Sequence, residues 1–216
     1  MFIPPLAQFV DRKDAGRQLA VALTAYRGSD SLLCPIVCGG VIVADEIAQQ
    51  LKLPVEPLFI GKFGYPFDSE LSYGAVSADS EVITLDNIDP NWVDWVNEQV
   101  RTKQTEAVLR RDRYTRAGAT RLLGDAKVII VDDAVATGVS IELAIRSVRN
   151  RGASSVIVAV PRMPLEIRQR FRSLVDDIVT LDRNPPTHGN DQLLYLNFPE
   201  VSYDEVLDVL HRRQSG

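Results

Sequence analysis

The sequence is dominated by a regular alternation of short apolar runs and longer segments of helical periodicity. The apolar runs are rich in Val and Ile and have the length of buried strands; they cover residues 31–37, 55–60, 127–131, 155–160 and 178–181. The segments whose apolar residues recur at helical spacing cover residues 11–26, 41–51, 140–149, 165–174 and 202–212. Because strands that alternate with helices form parallel sheets, we expect a single α/β domain over residues 1–216, with a mainly parallel sheet flanked by helices.

Composition narrows the class of protein further. The chain has 24 basic and 29 acidic residues, a formal net charge of −5, and 45% hydrophobic residues. These values are ordinary for a globular protein and argue against nucleic acid or an anionic membrane as a partner. The apolar runs are too short to span a membrane, and the first ten residues contain two prolines and no basic residue, unlike a signal peptide. We therefore expect a cytoplasmic protein that does not bind membranes.

Charge is segregated in the middle of the chain. Residues 68–98 contain eight acidic residues and no Lys or Arg, whereas residues 101–116 contain six basic residues. One interpretation is a hairpin of residues 73–76 with 82–85, followed by a long amphipathic helix with solvated charges. The other interpretation is a mobile flap that brings cations to an anionic ligand.

The most informative segment is residues 128–140, where a buried strand ends in Asp132 and Asp133 and a loop of small residues leads into a helix. Ligands of α/β proteins collect at the carboxyl ends of strands. Backbone N–H groups at a helix N-terminus favour a phosphate, whereas the two carboxylates suit sugar hydroxyls or Mg²⁺. The segment therefore predicts a ribose 5-phosphate site. The simpler alternative is that the acids only end a strand and that Thr137 or Ser140 caps a helix.

This segment resembles the phosphoribosyl pyrophosphate signature of the type I phosphoribosyltransferases, and the similarity extends over most of the chain. A strand followed by Cys38-Gly39-Gly40-Val41 stands where that family has its pyrophosphate loop, and residues 60–64 and 70–76 resemble one of its subgroups. The resemblance implies the type I phosphoribosyltransferase fold, with a flap inserted over residues 68–116 and a small C-terminal hood over residues 184–200.

The resemblance also implies roles for individual residues. The 5-phosphate is expected to lie in a loop made of Ala136, Thr137, Gly138, Val139 and Ser140. Asp132 and Asp133 are expected to hold the ribose hydroxyls, directly or through Mg²⁺, and the backbone of Cys38, Gly39 and Gly40 to meet the pyrophosphate. Lys62 or an arginine of residues 101–116 is expected to neutralise the leaving group, and Glu70 and Glu106 are candidate bases on the flap.

Two positions depart from the family pattern. The subgroup tends to have Arg before the Gly-Gly pair, where this chain has Cys38, so the contact with pyrophosphate is expected to be weaker. The hypoxanthine–guanine enzymes have a carboxylate just before Thr-Gly, where this chain has Ala136. The loop therefore offers no general base to a nucleobase. In the hood, Tyr195 and Phe198 could stack on a base or pack against the core.

The resemblance thus implies a phosphoribosyltransferase that uses phosphoribosyl pyrophosphate and a small-molecule nitrogen acceptor, most simply a nucleobase, with Mg²⁺ as cofactor. The alternative is a non-catalytic sensor of phosphoribosyl pyrophosphate or nucleotides. By analogy with the family, a homodimer is an open possibility.

Overall fold

The strands form two separate sheets in the computed structural model, which describes residues 8–85, 87–115, 123–181 and 194–214. The first sheet is parallel, with the order β1 (Leu32–Pro35), β5 (Lys127–Val131), β6 (Ser155–Val160) and β7 (Asp177–Thr180). The second is antiparallel, with the order β2 (Ile60–Tyr65), β3 (Asp68–Ser77) and β4 (Val82–Thr84).

Helices cover both faces of the parallel sheet, as the sequence predicts. The helices are α1 (Arg12–Ala22), α2 (Gly39–Leu51), α3 (Val93–Thr115), α4 (Val139–Asn150), α5 (Leu165–Phe171) and α6 (Tyr203–Gln214). Alternate residues of β5 point to opposite faces. Val128 and Ile130 belong to the core that includes α4 and α5, whereas Ile129 and Val131 belong to the core that includes α1 and α2.

The segment before β2 differs from the predicted strand over residues 55–60. It runs beside β1 and pairs with it only at isolated bridges, Leu33 with Val55 and Ile36 with Leu58. Pro57 has no N–H to donate, which suits a position at the edge of a sheet. From Ile60 onward the chain leaves this edge and pairs antiparallel with β3.

The predicted hairpin and long helix are both present. Strands β3 and β4 pair from Gly74 opposite Thr84 to Val76 opposite Val82, and α3 follows. The buried residues of α3 are Val96, Ala107 and Tyr114, so the helix exposes most of its charged side chains. None of the described helices combines the length and apolar character needed to cross a membrane.

Candidate active site

The acidic pair and the glycine pair lie side by side because β1 and β5 are neighbouring strands. Asp132 follows β5 directly and is buried, and the Asp133 N–H donates to its Oδ1 at 2.9 Å. The N-terminus of α2 approaches so closely that a Cβ at Gly39 would lie 1.9 Å from Asp133 Oδ2. A Cβ at Gly40 would lie 2.6 Å from the Val131 carbonyl oxygen. Glycine is therefore required for this packing, whether or not the backbone also meets pyrophosphate.

The loop after the acidic pair encloses a small cavity at the start of α4. The cavity is partly open to solvent, has a volume of about 30 Å³ and is lined by Asp132, the loop residues 134–141, Lys62 and Ser72. Ser140 Oγ is buried and has no hydrogen-bond partner among the described residues. A buried hydroxyl without a partner is costly, so a ligand in this polar cavity that accepts a hydrogen bond from Ser140 would remove that cost.

Gly138 fixes the turn of this loop. Its φ is 78°, a left-handed conformation that glycine adopts without strain. A Cβ there would also lie 2.8 Å from Ile167 Cγ2 of α5. Arg170, on the same helix, donates from Nη2 to the Thr137 carbonyl at 2.9 Å. The loop is therefore held from outside the cavity by α5, which leaves its inner surface to a ligand.

The two carboxyl groups of the acidic pair differ in environment. Burial, and then the charge of Asp133, raise the pKa of Asp132 well above its usual range, and Lys62 opposes this shift. Asp133 is paired with Arg12, whose Nε donates to Asp133 Oδ2 at 2.6 Å. Arg12 thus balances the charge of Asp133, whereas burial beside that charge weakens the acidity of Asp132.

Arg12 is the main site residue that sequence reasoning misses. It lies 121 positions from Asp133 and reads in the sequence as an ordinary charged residue in the first turn of a helix. In the structure it is buried, donates from Nη1 to the Pro199 carbonyl at 2.6 Å, and lies 3.7 Å from the centre of the Phe198 ring. A basic residue immediately after the N-cap Asp11 is the one sequence signal at this place, and it is not specific.

A larger cleft of about 620 Å³ lies next to the acidic pair, and its cations come from α1, from β2 and from the flap. Its lining includes Cys38 and Gly39 from the predicted pyrophosphate loop, Lys62 from β2, and Lys103, Glu106 and Arg110 from α3. Lys62 lies within β2 and not at a strand end, and it lines both cavities.

The ionisable groups of this cleft influence one another. Burial raises the pKa of the Cys38 thiol, and the positive charge of Arg110 partly offsets this effect. Glu106 is held by Lys103, whose Nζ lies 3.1 Å from its carboxylate. The Glu70 side chain, the other candidate base, lies outside the described residues. Cys34 is buried, Cys38 is half-buried, and the two are not joined by a disulfide.

The described part of the predicted hood, residues 194–200, packs onto the acidic pair. Leu194 and Leu196 form backbone hydrogen bonds with Phe9, and the Tyr195 hydroxyl donates to the Asp133 carbonyl at 2.7 Å. Tyr195 also stacks on Phe198, with 4.7 Å between ring centres. Tyr195 is therefore a packing residue, whereas Phe198 lines the large cleft. Residues 184–193 of the predicted hood lie outside the described residues.

The donor set fits Mg²⁺ only if a substrate supplies most of the ligands. No group of three or more His, Cys, Asp or Glu side chains in the described ranges could hold a metal by itself. Asp132 and Asp133 offer carboxylate oxygens, and one oxygen of Asp133 is taken by Arg12. Mg²⁺ in proteins is commonly held by one or two carboxylates together with substrate phosphates and water, so the residues present are compatible with that arrangement.

Comparisons with known proteins agree on the family of this chain. The family model named phosphoribosyl transferase domain matches residues 8–179. Two proteins of Mycobacterium tuberculosis, from strains CDC 1551 and H37Rv, are 36% identical over 207 residues, which are 94% of this chain and 46% of theirs; their names class them provisionally as phosphoribosyl transferases. This chain thus spans about half the length of those relatives. The crystal structure of TT1426 from Thermus thermophilus is 29% identical, covers 95% of this chain and 98% of its own, and has a TM-score of 0.76.

Proposed function

Because the chain belongs to the phosphoribosyl transferase domain family, we propose that it transfers the 5-phosphoribosyl group of phosphoribosyl pyrophosphate to a nitrogen atom of a nucleobase and releases pyrophosphate. The observation that carries the proposal is the buried hydroxyl of Ser140, a residue that lines the cavity beside the loop after Asp133 and whose hydroxyl has no partner among the described residues. A phosphate oxygen is the partner that this group lacks.

The substrate's phosphate and ribose are assigned to adjacent places. The 5-phosphate accepts hydrogen bonds from Ser140 and from the loop N–H groups at the start of α4, where the helix dipole also favours an anion. Asp132 lines this cavity, and Asp133 lies against Gly39 of the predicted pyrophosphate loop. The acidic pair therefore lies between the two loops, where a ribose bound to both would present its hydroxyls.

The reaction is a displacement at the anomeric carbon. The bond from this carbon to the pyrophosphate oxygen breaks, its electron pair leaves with pyrophosphate, and the acceptor nitrogen forms the new bond. The sugar becomes positively charged in between, so the carboxylates of Asp132 and Asp133 interact with it more strongly in the transition state than in the ground state.

Strand β2 and the flap supply the positive charge for the leaving group. Lys62, Lys103 and Arg110 line the same cleft as Cys38 and Gly39, so their charges can neutralise the pyrophosphate that the Cys38 side chain cannot. When bound, Mg²⁺ would add to this neutralisation, held by Asp132 and Asp133 together with the substrate. Glu106 lies in the same cleft and is our candidate to take the proton of the acceptor nitrogen.

The acceptor is assigned to the large cleft beside Phe198. Arg12 and Tyr195 cover the two faces of the Phe198 ring, so a planar base would meet the edge of this ring, and the volume of about 620 Å³ is ample for one. Ala136 leaves the phosphate loop without a carboxylate, so any proton acceptor for the base must come from the flap or the hood.

The proposal is tested by incubating the protein with phosphoribosyl pyrophosphate, Mg²⁺ and a panel of purines and pyrimidines, and by measuring pyrophosphate release. We expect release with at least one base and its loss in Ser140→Ala. The matched control is Arg213→Gln, which breaks a 2.6 Å ion pair with Asp45 away from the cavity. Binding of phosphoribosyl pyrophosphate without release with any base would favour a sensor. Absence of binding would contradict the proposal.

A further inference from the structure

Arg12 makes three contacts that meet at one guanidinium group. Nε donates to Asp133 Oδ2 at 2.6 Å, Nη1 donates to the Pro199 carbonyl at 2.6 Å, and the carbon of the group lies 3.7 Å from the centre of the Phe198 ring. The side chains of Arg12 and Asp133 are only 10% and 14% exposed. A planar guanidinium can make these contacts at once because its donors form a rigid fork, which a lysine ammonium does not have.

These contacts join two parts of the proposed site that are far apart in the sequence. Asp133 belongs to the acidic pair, and Phe198 and Pro199 line the cleft assigned to the acceptor. A second connection runs in parallel, because the Tyr195 hydroxyl donates to the Asp133 carbonyl. The Tyr195 connection involves the backbone of Asp133, whereas the Arg12 connection involves the carboxylate that a ribose would engage.

Arg12 occupies one of the two oxygens of Asp133. Without a cation beside it, the negative charge of this mostly buried carboxylate would lie next to a second acid with nothing to balance it. A ribose hydroxyl or a metal bound to Asp133 would in turn change how firmly the guanidinium is held at that end. Its other end is fixed to the 198–199 segment, so a change at the carboxylate reaches the wall of the acceptor cleft.

We propose that Arg12 is a positioning residue that couples sugar-phosphate binding at Asp133 to the arrangement of the Phe198–Pro199 wall of the acceptor cleft. The proposal rests on the function proposed above and goes beyond it, since it assigns to Arg12 the communication between the two halves of the site. It requires that ribose 5-phosphate alone, without any acceptor, changes the surroundings of residue 198.

The first measurement is the affinity for ribose 5-phosphate, by calorimetric titration of Arg12→Gln and Arg12→Lys. We expect Arg12→Gln to bind about tenfold more weakly, since a buried charged hydrogen bond to Asp133 is lost. Arg12→Lys keeps a cation for Asp133 and is expected to stay within about threefold of the wild type. Arg213→Gln removes an arginine of comparable geometry elsewhere and is expected to bind like the wild type. The unfolding midpoint of each variant separates loss of binding from loss of folding.

The second measurement reports on the coupling itself. Phe198→Trp places an indole in the ring position above Arg12. The protein also contains two natural tryptophans, so the same titration is carried out on the protein with Phe198 and its emission is subtracted. We expect the emission to change on saturation with ribose 5-phosphate. The change should disappear when Phe198→Trp is combined with Arg12→Lys, although the sugar phosphate still binds.

The outcomes separate this proposal from the proposed function. An emission change that is equal with and without the Arg12→Lys substitution overturns the coupling and leaves the proposed function intact. If folded Arg12→Gln binds ribose 5-phosphate as tightly as the wild type, the coupling is also overturned and the proposed function is left intact. If the wild type does not bind ribose 5-phosphate at all, the proposed function fails and the coupling with it.

Discussion

The parallel sheet and the antiparallel sheet each contribute to the same cleft, but their helices are packed very differently. Helix α4, which begins the proposed phosphate site, buries eight of its 12 residues. Helix α3, which carries Lys103 and Arg110, buries three of its 23 residues. Buried area determines how firmly an element is held. The comparison indicates a fixed site for the 5-phosphate and a more loosely held set of cations for the leaving group.

The antiparallel sheet has its own small core, which explains how it can hold α3 with so few buried residues. Phe63, Tyr73 and Val96 are buried together, and Trp92 and Trp95 pack against them. The same sheet leaves Phe67 74% exposed at the turn between β2 and β3. The flap is also held to the rest of the protein, because Ala75 belongs to the main core and Ile83 packs against it, whereas its tip remains open to solvent.

The largest expected effect is a difference in stability between α4 and α3 when a leucine of each helix is replaced by alanine. Leu143→Ala on α4 removes a fully buried side chain and should lower the free energy of unfolding by about 2–5 kcal/mol. Leu109→Ala on α3 removes a side chain that is 60% exposed and should change it by less than about 0.5 kcal/mol. Chemical denaturation of both variants measures the difference, and equal losses would contradict the proposed contrast in packing.

The next effect concerns the acidic pair. Asp133→Asn should weaken ribose 5-phosphate binding by about 1.5–3 kcal/mol, the range for a hydrogen bond to a charged group. Turnover should fall further, because the cationic sugar of the transition state gains more from the carboxylate than the ground state does. Calorimetry and pyrophosphate release measure the two quantities, and the unfolding midpoint controls for the loss of the Arg12 pair. Equal losses of binding and turnover would remove the argument for transition-state stabilisation.

A smaller effect is expected from the flap cations. Arg110→Gln should weaken the binding of inorganic pyrophosphate about tenfold and leave ribose 5-phosphate binding unchanged. Arg113→Gln is the matched control, because Arg113 lies on the same helix and pairs with Asp204 outside the cleft. Cys38→Ser should have little effect, whereas Cys38→Arg should tighten pyrophosphate binding. A loss of ribose 5-phosphate binding in Arg110→Gln would show that the two halves of the site are not separate.

The smallest expected effect is on the pH dependence of stability. Since the pKa of Asp132 is raised in the folded state, the folded protein binds this proton more tightly than the unfolded chain does. The stability linked to this proton is complete below about pH 4 and is lost as the pH rises through the raised pKa. Asp132→Asn should therefore flatten the fall of unfolding free energy with rising pH. Urea unfolding at several pH values measures this dependence. If the unfolding free energy of Asp132→Asn falls with pH as steeply as that of the wild type, another group is responsible for the fall.

Sequence reasoning predicts the parallel half of the molecule well because its strands are buried on both faces. The runs over residues 127–131 and 155–160 have the bounds of β5 and β6, since continuous Val and Ile leave no other assignment. The segment over residues 55–60 has a similar composition but pairs with β1 only at isolated bridges, so its assignment as one continuous strand is wrong. The apolar composition of a segment indicates that the segment is buried, but it does not indicate which strand the segment pairs with.

The site shows the same limit. The loop of residues 136–140 can be predicted from the sequence because one continuous stretch contains the end of the strand, the two carboxylates and the start of the helix. The positions of Lys62 and Arg110 opposite Cys38 depend on how the flap packs over the parallel sheet, which no local pattern encodes. Arg12 is hidden for a further reason, because a buried arginine is identified by its partners and these lie 121 and 187 positions away.

The most direct test of the account is a calorimetric titration of ribose 5-phosphate into the wild type, Ser140→Ala and Ser147→Ala. Both serines are buried on α4, but only Ser140 lines the phosphate cavity. We predict that the wild type and Ser147→Ala bind equally well. Ser140→Ala should bind about tenfold more weakly or worse, with no loss of stability, because the hydroxyl it removes has no partner among the described residues. Failure of the wild type to bind, or equal affinity in Ser140→Ala, would contradict the account.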